Sequence, residues 1–277
     1  MRRATIMLLM LAAGRLPAAD QKLDEEQSKL LEQARRESLM YSMSLPDFLC
    51  TEVIHRREDP RGDGRWRGID TLNVRLSYLE HKENYKLISI NGKPTDIDYL
   101  NAGGALTTGE FGNRLIALFV PASKAEFEWK GWTRIHGRHA AVYHYRIAKE
   151  NSTFLIQAGP TPTGPDAIVA AYRGEVSIDE ETHRVLRLTA VAEIPLGFIV
   201  KESSLLIEYD FRKVGGKEFL VPVHADSSMK RGSYRTENQA DFREYRKFQG
   251  ESSISFDLPD EKKADEKKAE EKKVGKQ

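Results

Sequence analysis

The stretch SLLIEYDFRKVGGKEFLVPVHAD, residues 204–226, constrains the fold more than any other part of the chain. Leu205, Ile207, Tyr209 and Phe211 alternate with Leu206, Glu208, Asp210 and Arg212, the period of a strand with one buried face. Gly215-Gly216 supplies the left-handed conformations of a two-residue turn. Phe219, Val221 and Val223 then continue the apolar face, so the spacing predicts a long antiparallel hairpin. FLCTEVIHR, WRGIDTLNVRLSYLE and NYKLISING are strand-like earlier in the chain, and Asn91-Gly92 marks another tight turn. With 277 residues, 40% of them hydrophobic, the chain can bury a sizeable core against such a sheet.

Two segments break the strand period. DQKLDEEQSKLLEQARRESLMYSM (20–43) places Leu23, Leu30, Leu31, Ala34 and Met40 near helical spacing and stops before Pro46, which predicts an amphipathic helix packed on the sheet. In TTGEFGNRLIALFVP, Thr107 stands three residues before Glu110, the spacing of a capping box. A helix over 108–119 follows, with Phe111, Leu115, Leu118 and Phe119 along one face and Pro121 at its end. Gly103, Gly104, Gly109 and Gly112 around its start give the backbone freedom to hinge.

The ends differ from the body. MRRATIMLLMLAAGRLPAAD has a basic start, an apolar stretch from Ala4 to Gly14 and small residues at Ala18 and Ala19, the three-part form of a secretory signal peptide over 1–19. Its apolar stretch is about half of the roughly 20 residues that span a bilayer, so no transmembrane anchor is expected. The last residues, 259–277, repeat DEKKA-like pentads with nothing to bury and read as a disordered charged tail. Setting aside three leader arginines and the seven lysines and six acids of the tail leaves 33 basic and 36 acidic residues. That balance offers no attraction for nucleic acid. GPTPTGP (159–165) is a Pro-rich loop within a single β domain of residues 20–258.

The stretches that invite a chemical reading each have a plainer one. In YRGEVSIDEETHRVLRL (172–188), Asp179, Glu180 and Glu181 precede His183, but they fall between two strand patterns. A polar turn with its carboxylates in water is the expectation, not a metal or acid–base site. His136, His139 and His144 do not share one strand face, with Gly137 marking a turn, so they do not form a zinc set. Cys50 is the only cysteine and lies in an apolar run, which predicts a buried, inert thiol. In KRGSYRTENQADFREYRKFQ, strand parity puts Tyr234, Ala240, Phe242 and Phe248 on one side. Arg235, Glu237, Asp241, Arg243 and Lys247 fall on the other, a solvated face of mixed charge. No nucleophile elbow, metalloprotease helix or dinucleotide loop is present, and no cofactor is expected.

The expected fold class is α+β, mainly β, with a long antiparallel meander, an N-terminal helix and a short internal helix. The layout resembles the periplasmic lipoprotein-carrier (LolA/LolB-like) superfamily, which includes envelope regulators related to RseB. LLEQARRESLMYSMSLPDFLCTEVIHRRE resembles the entry from helix to first strand, and YRGEVSIDEETHRVLRL and LLIEYDFRKVGGKEFLVPV resemble a strand–acidic turn–strand and a late hairpin. The resemblance implies a large curved antiparallel sheet, or half-open barrel, closed by these helices around an apolar concavity for a lipid, an acyl chain or an envelope protein. The leader implies a periplasmic or secreted location. Phe111, Leu115, Leu118 and Phe119 are the candidate lining, with no catalytic or metal residue. A non-enzymatic binder of a lipid, lipoprotein or other hydrophobic partner is one class. An envelope hydrolase whose residues converge only in three dimensions, or a protein-binding sensor, is the other.

Overall fold

The computed structural model describes residues 23–102, 109–158 and 167–248. The leader, the first half of the glycine-rich stretch with Gly103, Gly104 and Thr107, the Pro-rich loop 159–165 and the charged tail lie outside the described residues.

Helix α1 (Glu25–Ser44) starts at a capping box in which the Asp24 carboxylate accepts from the Gln27 backbone while the Gln27 side chain accepts from the Asp24 backbone. It ends at Leu45, which takes the extended conformation that Pro46 demands of its predecessor. Its buried face carries Leu31, Ala34, Ser38 and Tyr41. Met40, expected inside from its spacing, is instead 57% exposed, because Tyr41 occupies the inward position one residue on.

Strands β1 (Phe48–Asp59), β2 (Arg67–Leu79), β3 (Lys82–Ile90) and the two-residue β4 (Lys93–Pro94) form a meander. Helix α2 (Asn113–Phe119) leads into β5 (Glu126–Ile135) and β6 (Arg138–Ile147). Strands β7 (Leu155–Gln157) and β8 (Ala167–Val169) pair only with each other. The chain then runs through β9 (Ala171–Asp179), β10 (Val185–Glu193), β11 (Val200–Val214), β12 (Lys217–Arg231) and β13 (Tyr234–Lys247). Eleven strands make one antiparallel sheet in the order β4-β3-β2-β1-β13-β12-β11-β10-β9-β6-β5, with the first long strand beside the last. Its two edges do not pair, so the sheet is not closed into a barrel.

The sheet is strongly curved, and the short segment at its centre shows why. Glu110 accepts from Tyr85 on β3, and Phe119, nine residues later, stacks on Phe127 of β5 with centroids 5.8 Å apart. Those strands are nine places apart in the sheet. A flat sheet would separate them by about 43 Å at ~4.8 Å per strand. Nine extended residues span at most about 31 Å, and most of this segment is helical. The sheet therefore wraps around α1 and α2. Tyr143 of β6 donates to the Gln27 carbonyl at the start of α1, while Tyr78 of β2 donates to Ser42 at its end.

The predicted hairpin forms, with one correction of parity. Gly215 and Gly216 both have positive φ in a two-residue turn, and the register pairs Phe211 with Leu220 and Tyr209 with Pro222. Leu220 and Pro222, rather than Phe219, Val221 and Val223, thus lie opposite the core-facing residues of β11. A bulge at Val223 follows, and Val221 is nonetheless buried. In β13 Glu244 has φ 56 and inserts a second irregularity, which sends Tyr245 into the aromatic core against Phe48. Tyr234 and Phe248, expected inside, are 38% and 39% exposed.

Candidate binding interior

The acidic turn is a turn, but its first carboxylate does not face water. Asp179 is 2% exposed on its side chain and accepts two parallel hydrogen bonds from Arg138, at 2.9 and 2.8 Å. It also accepts from the backbone and hydroxyl of Thr182. Burial works against its charge, yet Arg138 and Thr182 outweigh that and hold the carboxyl below the usual range. The expectation of a solvated Asp179 is corrected, since β9 carries this residue into the sheet and Arg138 of β6 lies across from the turn. Glu180 and Glu181 are exposed, and His183 takes φ 57 in the turn. Among the described residues no group of three or more His, Cys, Asp or Glu is arranged to hold a metal ion. The three histidines face separate carboxylates: His136 meets Glu208, His139 meets Glu180 and His144 meets Glu175. Cys50 is buried, and burial first, then Glu52, pushes its thiol far above the ordinary range.

The four predicted lining residues come together, within the core. Phe111, Leu115 and Leu118 are 1% exposed and Phe119 is fully buried. Phe111 sits among Phe48, Phe242, Tyr78 and Tyr245, with ring centroids 5.2 to 6.3 Å away. Helix α2 begins at Asn113 after Gly112, which caps it with no side chain, so the expected start at 108 is corrected. Glu110 is not the third residue of that helix. It turns inward instead, and Tyr209 donates to its carbonyl at 3.0 Å. Gly109 and Gly112 have φ 92 and 128, a region that favours glycine. A cleft of about 580 Å³ elsewhere has a mixed lining that includes Arg57, Arg67, Asp70, Gln239, Trp66 and Ile69, and none of the four residues borders it.

Beneath segment 109–112 lies a feature that residue spacing did not bring out. Glu83 of β3 and Glu110 meet at the Tyr85 hydroxyl, and Glu52 of β1 is a further buried carboxyl whose charged form they disfavour. Glu52 and Glu110 are each 1% exposed. Glu83 accepts from the backbone N–H groups of Gly109 and Phe111 at 2.9 and 3.1 Å, and the Tyr85 hydroxyl lies between Glu83 and Glu110. Burial, then Glu110 and Glu83, push the Glu52 carboxyl well above its usual range, and burial, then Glu110, raise Glu83. Glu52 Oε2 and Glu110 Oε1 are buried with no hydrogen-bond partner among the described residues. The sequence does carry a trace of Glu52. In FLCTEVIHR it shares the strand face of Phe48, Cys50 and Ile54, and the register sets it beside Phe242 and Val74. Glu83 and Glu110 have no such signature, because only the fold brings them together.

No protein-family model matches the chain, and no curated protein matches it. Solved structures similar to it include a DUF1329 family protein from Desulfovibrio piger, at TM-score 0.41 and 12% identity, covering 83% of this chain and 96% of that one. A LolA superfamily protein from Nitrosomonas europaea has TM-score 0.36 and 9% identity over 83% of this chain and 97% of its own. A lipoprotein-sorting protein domain from Vibrio parahaemolyticus has TM-score 0.36 and 11% identity, covering 83% and 95%. These structures include a member of the group that the sequence layout resembles.

Proposed function

We propose that the chain is a non-catalytic binding protein of the cell envelope, which takes an acyl chain or similar apolar group between its curved sheet and segment 109–119. The observation that carries this reading is the construction of that segment. It covers the aromatic heart of the sheet with seven helical residues, and glycines at positive φ mark its start. A helix this short has little stability of its own and holds its place through packing, so an apolar ligand competes for the same side chains. Phe111, Leu115, Leu118 and Phe119 would line the opened site. The single domain of residues 20–258 acts after export, with the leader removed. No helix among the described residues is long and apolar enough to cross a membrane.

The test is saturable binding of a fluorescent fatty-acyl probe by the full-length mature protein. Wild type binds it, and Leu115→Gln binds it several-fold more weakly while remaining folded by circular dichroism. A wild type that binds neither this probe nor a general hydrophobic dye would remove the reading and leave a protein-binding module in its place.

A further inference from the structure

We infer that the cleft lined by Arg57, Trp66, Gly68 and Gln239 is a second binding site, which takes a neutral oligosaccharide on the outer face of the sheet. This goes beyond the reading above and does not depend on it, since the acyl site lies on the inner face.

Strand register builds the cleft. Gln239 of β13, His55 of β1 and Thr71 of β2 pair directly across the sheet, and the turn after β3 brings Asn91 to the end of the row. The Asn91 side chain accepts from the Thr71 backbone N–H at 2.9 Å, and His55 Nδ1 lies 3.1 Å from the Thr71 hydroxyl. Ile54, Leu72 and Ala240, one residue along on the same strands, are buried, so the polar row faces outward. Next to this row Arg57 pairs with Gly68 across a bulge in β2. A Cβ at Gly68 would meet nothing within 4 Å, so the absent side chain leaves a hollow in the sheet surface. The cleft holds about 580 Å³, a size that suits a small ligand.

Its chemistry favours hydroxyl groups over charge. Each arginine of the lining already has a carboxylate: Arg57 donates to Glu237 at 2.7 Å, Arg67 to Glu58 at 2.6 Å, and Arg56 makes a two-pronged pair with Asp70. A bound ion has to break such pairs, whereas a hydroxyl group adds to the donors and acceptors that they leave over. Gln239 has no hydrogen-bond partner among the described residues, and neither has the amide nitrogen of Asn91. Trp66 supplies the apolar part. The Arg57 guanidinium lies over its ring, 5.0 Å from the centroid, and holds it in place, while Trp66 remains 37% exposed. A sugar ring has a face of C–H bonds that packs on an aromatic plane and a rim of hydroxyls that needs polar partners. Trp66 and Ile69 beside the row from Gln239 to Asn91 match both. That row crosses three strands and the turn beyond, about 14 Å at ~4.8 Å per step, which is room for more than one linked ring.

The experiment is isothermal titration calorimetry of the mature protein with cellotetraose, chitotetraose, maltotetraose and inorganic phosphate. At least one tetrasaccharide should bind with a dissociation constant of about 1 mM or tighter. Its affinity should not change between low and high salt, because no net charge is neutralised. Trp66→Ala should weaken it about tenfold or more, and Gly68→Ile, which fills the hollow, should abolish it. Trp132→Ala, at an exposed tryptophan on β5, leaves it unchanged. Thermal melts confirm folding, and should one of the two cleft variants fail to fold, the other decides. No binding of any tetrasaccharide, binding that survives in both cleft variants, or phosphate bound in preference to every sugar overturns the site.

Discussion

Single residues decide how this protein responds to pH, and two buried carboxyls act in opposite directions. Asp179 is held below its usual range by Arg138 and Thr182 against the effect of burial. Its contribution is therefore present at neutral pH and lost as pH falls through the unfolded value, about 3.9, toward the lower folded one. Asp179→Asn should cost about 1–3 kcal/mol at neutral pH in urea melts, with the difference from wild type vanishing in strong acid. Glu52 has the reverse sign. Its raised carboxyl stabilises fully below the unfolded value, about 4.3, and that contribution drains away as pH rises toward the folded value. The slope is about 1.4 kcal/mol per pH unit for one group. Glu52→Gln should flatten the fall in stability as pH rises above the unfolded value, a comparison that denaturant melts across the range would make directly. An unchanged slope would mean that Glu52 is ionised inside the fold.

At the scale of elements, close approach matters more than propensity. Gly174 of β9 lies where Tyr145 crosses from β6 to donate to the Thr189 carbonyl of β10 at 2.6 Å. A Cβ at Gly174 would stand 1.9 Å from that same carbonyl oxygen, a contact backbone cannot relieve by rotating a side chain. Gly174→Ala should lower stability by about 2–4 kcal/mol or prevent folding, as chemical denaturation would show. The hairpin turns show which local signals are readable. Asn91-Gly92 and Gly215-Gly216 announce themselves, whereas Glu80-His81 adopts the same pair of positive φ values with neither glycine nor asparagine. Asp47 accepts from the Glu80 backbone and so holds that turn from outside it. Helix α2 is the element most dependent on its surroundings. Truncating Leu115, which is 1% exposed, to alanine should cost about 2–5 kcal/mol.

The described residues up to Lys247 form an open sheet wound around two unequal helices, and stability should be distributed accordingly. β11 and β12 pair over most of their fifteen residues each, while α2 has seven residues behind a glycine lead. Amide hydrogen exchange should therefore release 113–119 through a local opening, well before the amides of β11 and β12. A saturating apolar ligand that replaces α2 against the sheet should accelerate exchange in this helix and leave the sheet unchanged. Exchange of α2 only by global unfolding would count against any opening of the interior.

Strand alternation, glycine turns and the end of α1 before Pro46 were legible in the sequence, because each depends on neighbours a few residues apart. The α+β class and the antiparallel meander followed from them. Four apolar residues of segment 109–119 could be grouped on one face by spacing alone. Their packing among Phe48, Phe242 and Tyr245 could not, since those partners come from strands far apart in the chain. The parity of β12 failed at its turn, where the two-residue Gly215-Gly216 loop pairs Phe211 with Leu220. That of β13 is reversed past Glu244, where one inserted residue turns the side chains that follow. Glu52 stood visibly on an apolar strand face, but a carboxyl there has meaning only once its neighbours are known. The pairing of β6 with β9 sets Arg138 beside Asp179, and only the folded sheet carries segment 109–112 over β3, where Glu110 and Glu83 share the Tyr85 hydroxyl.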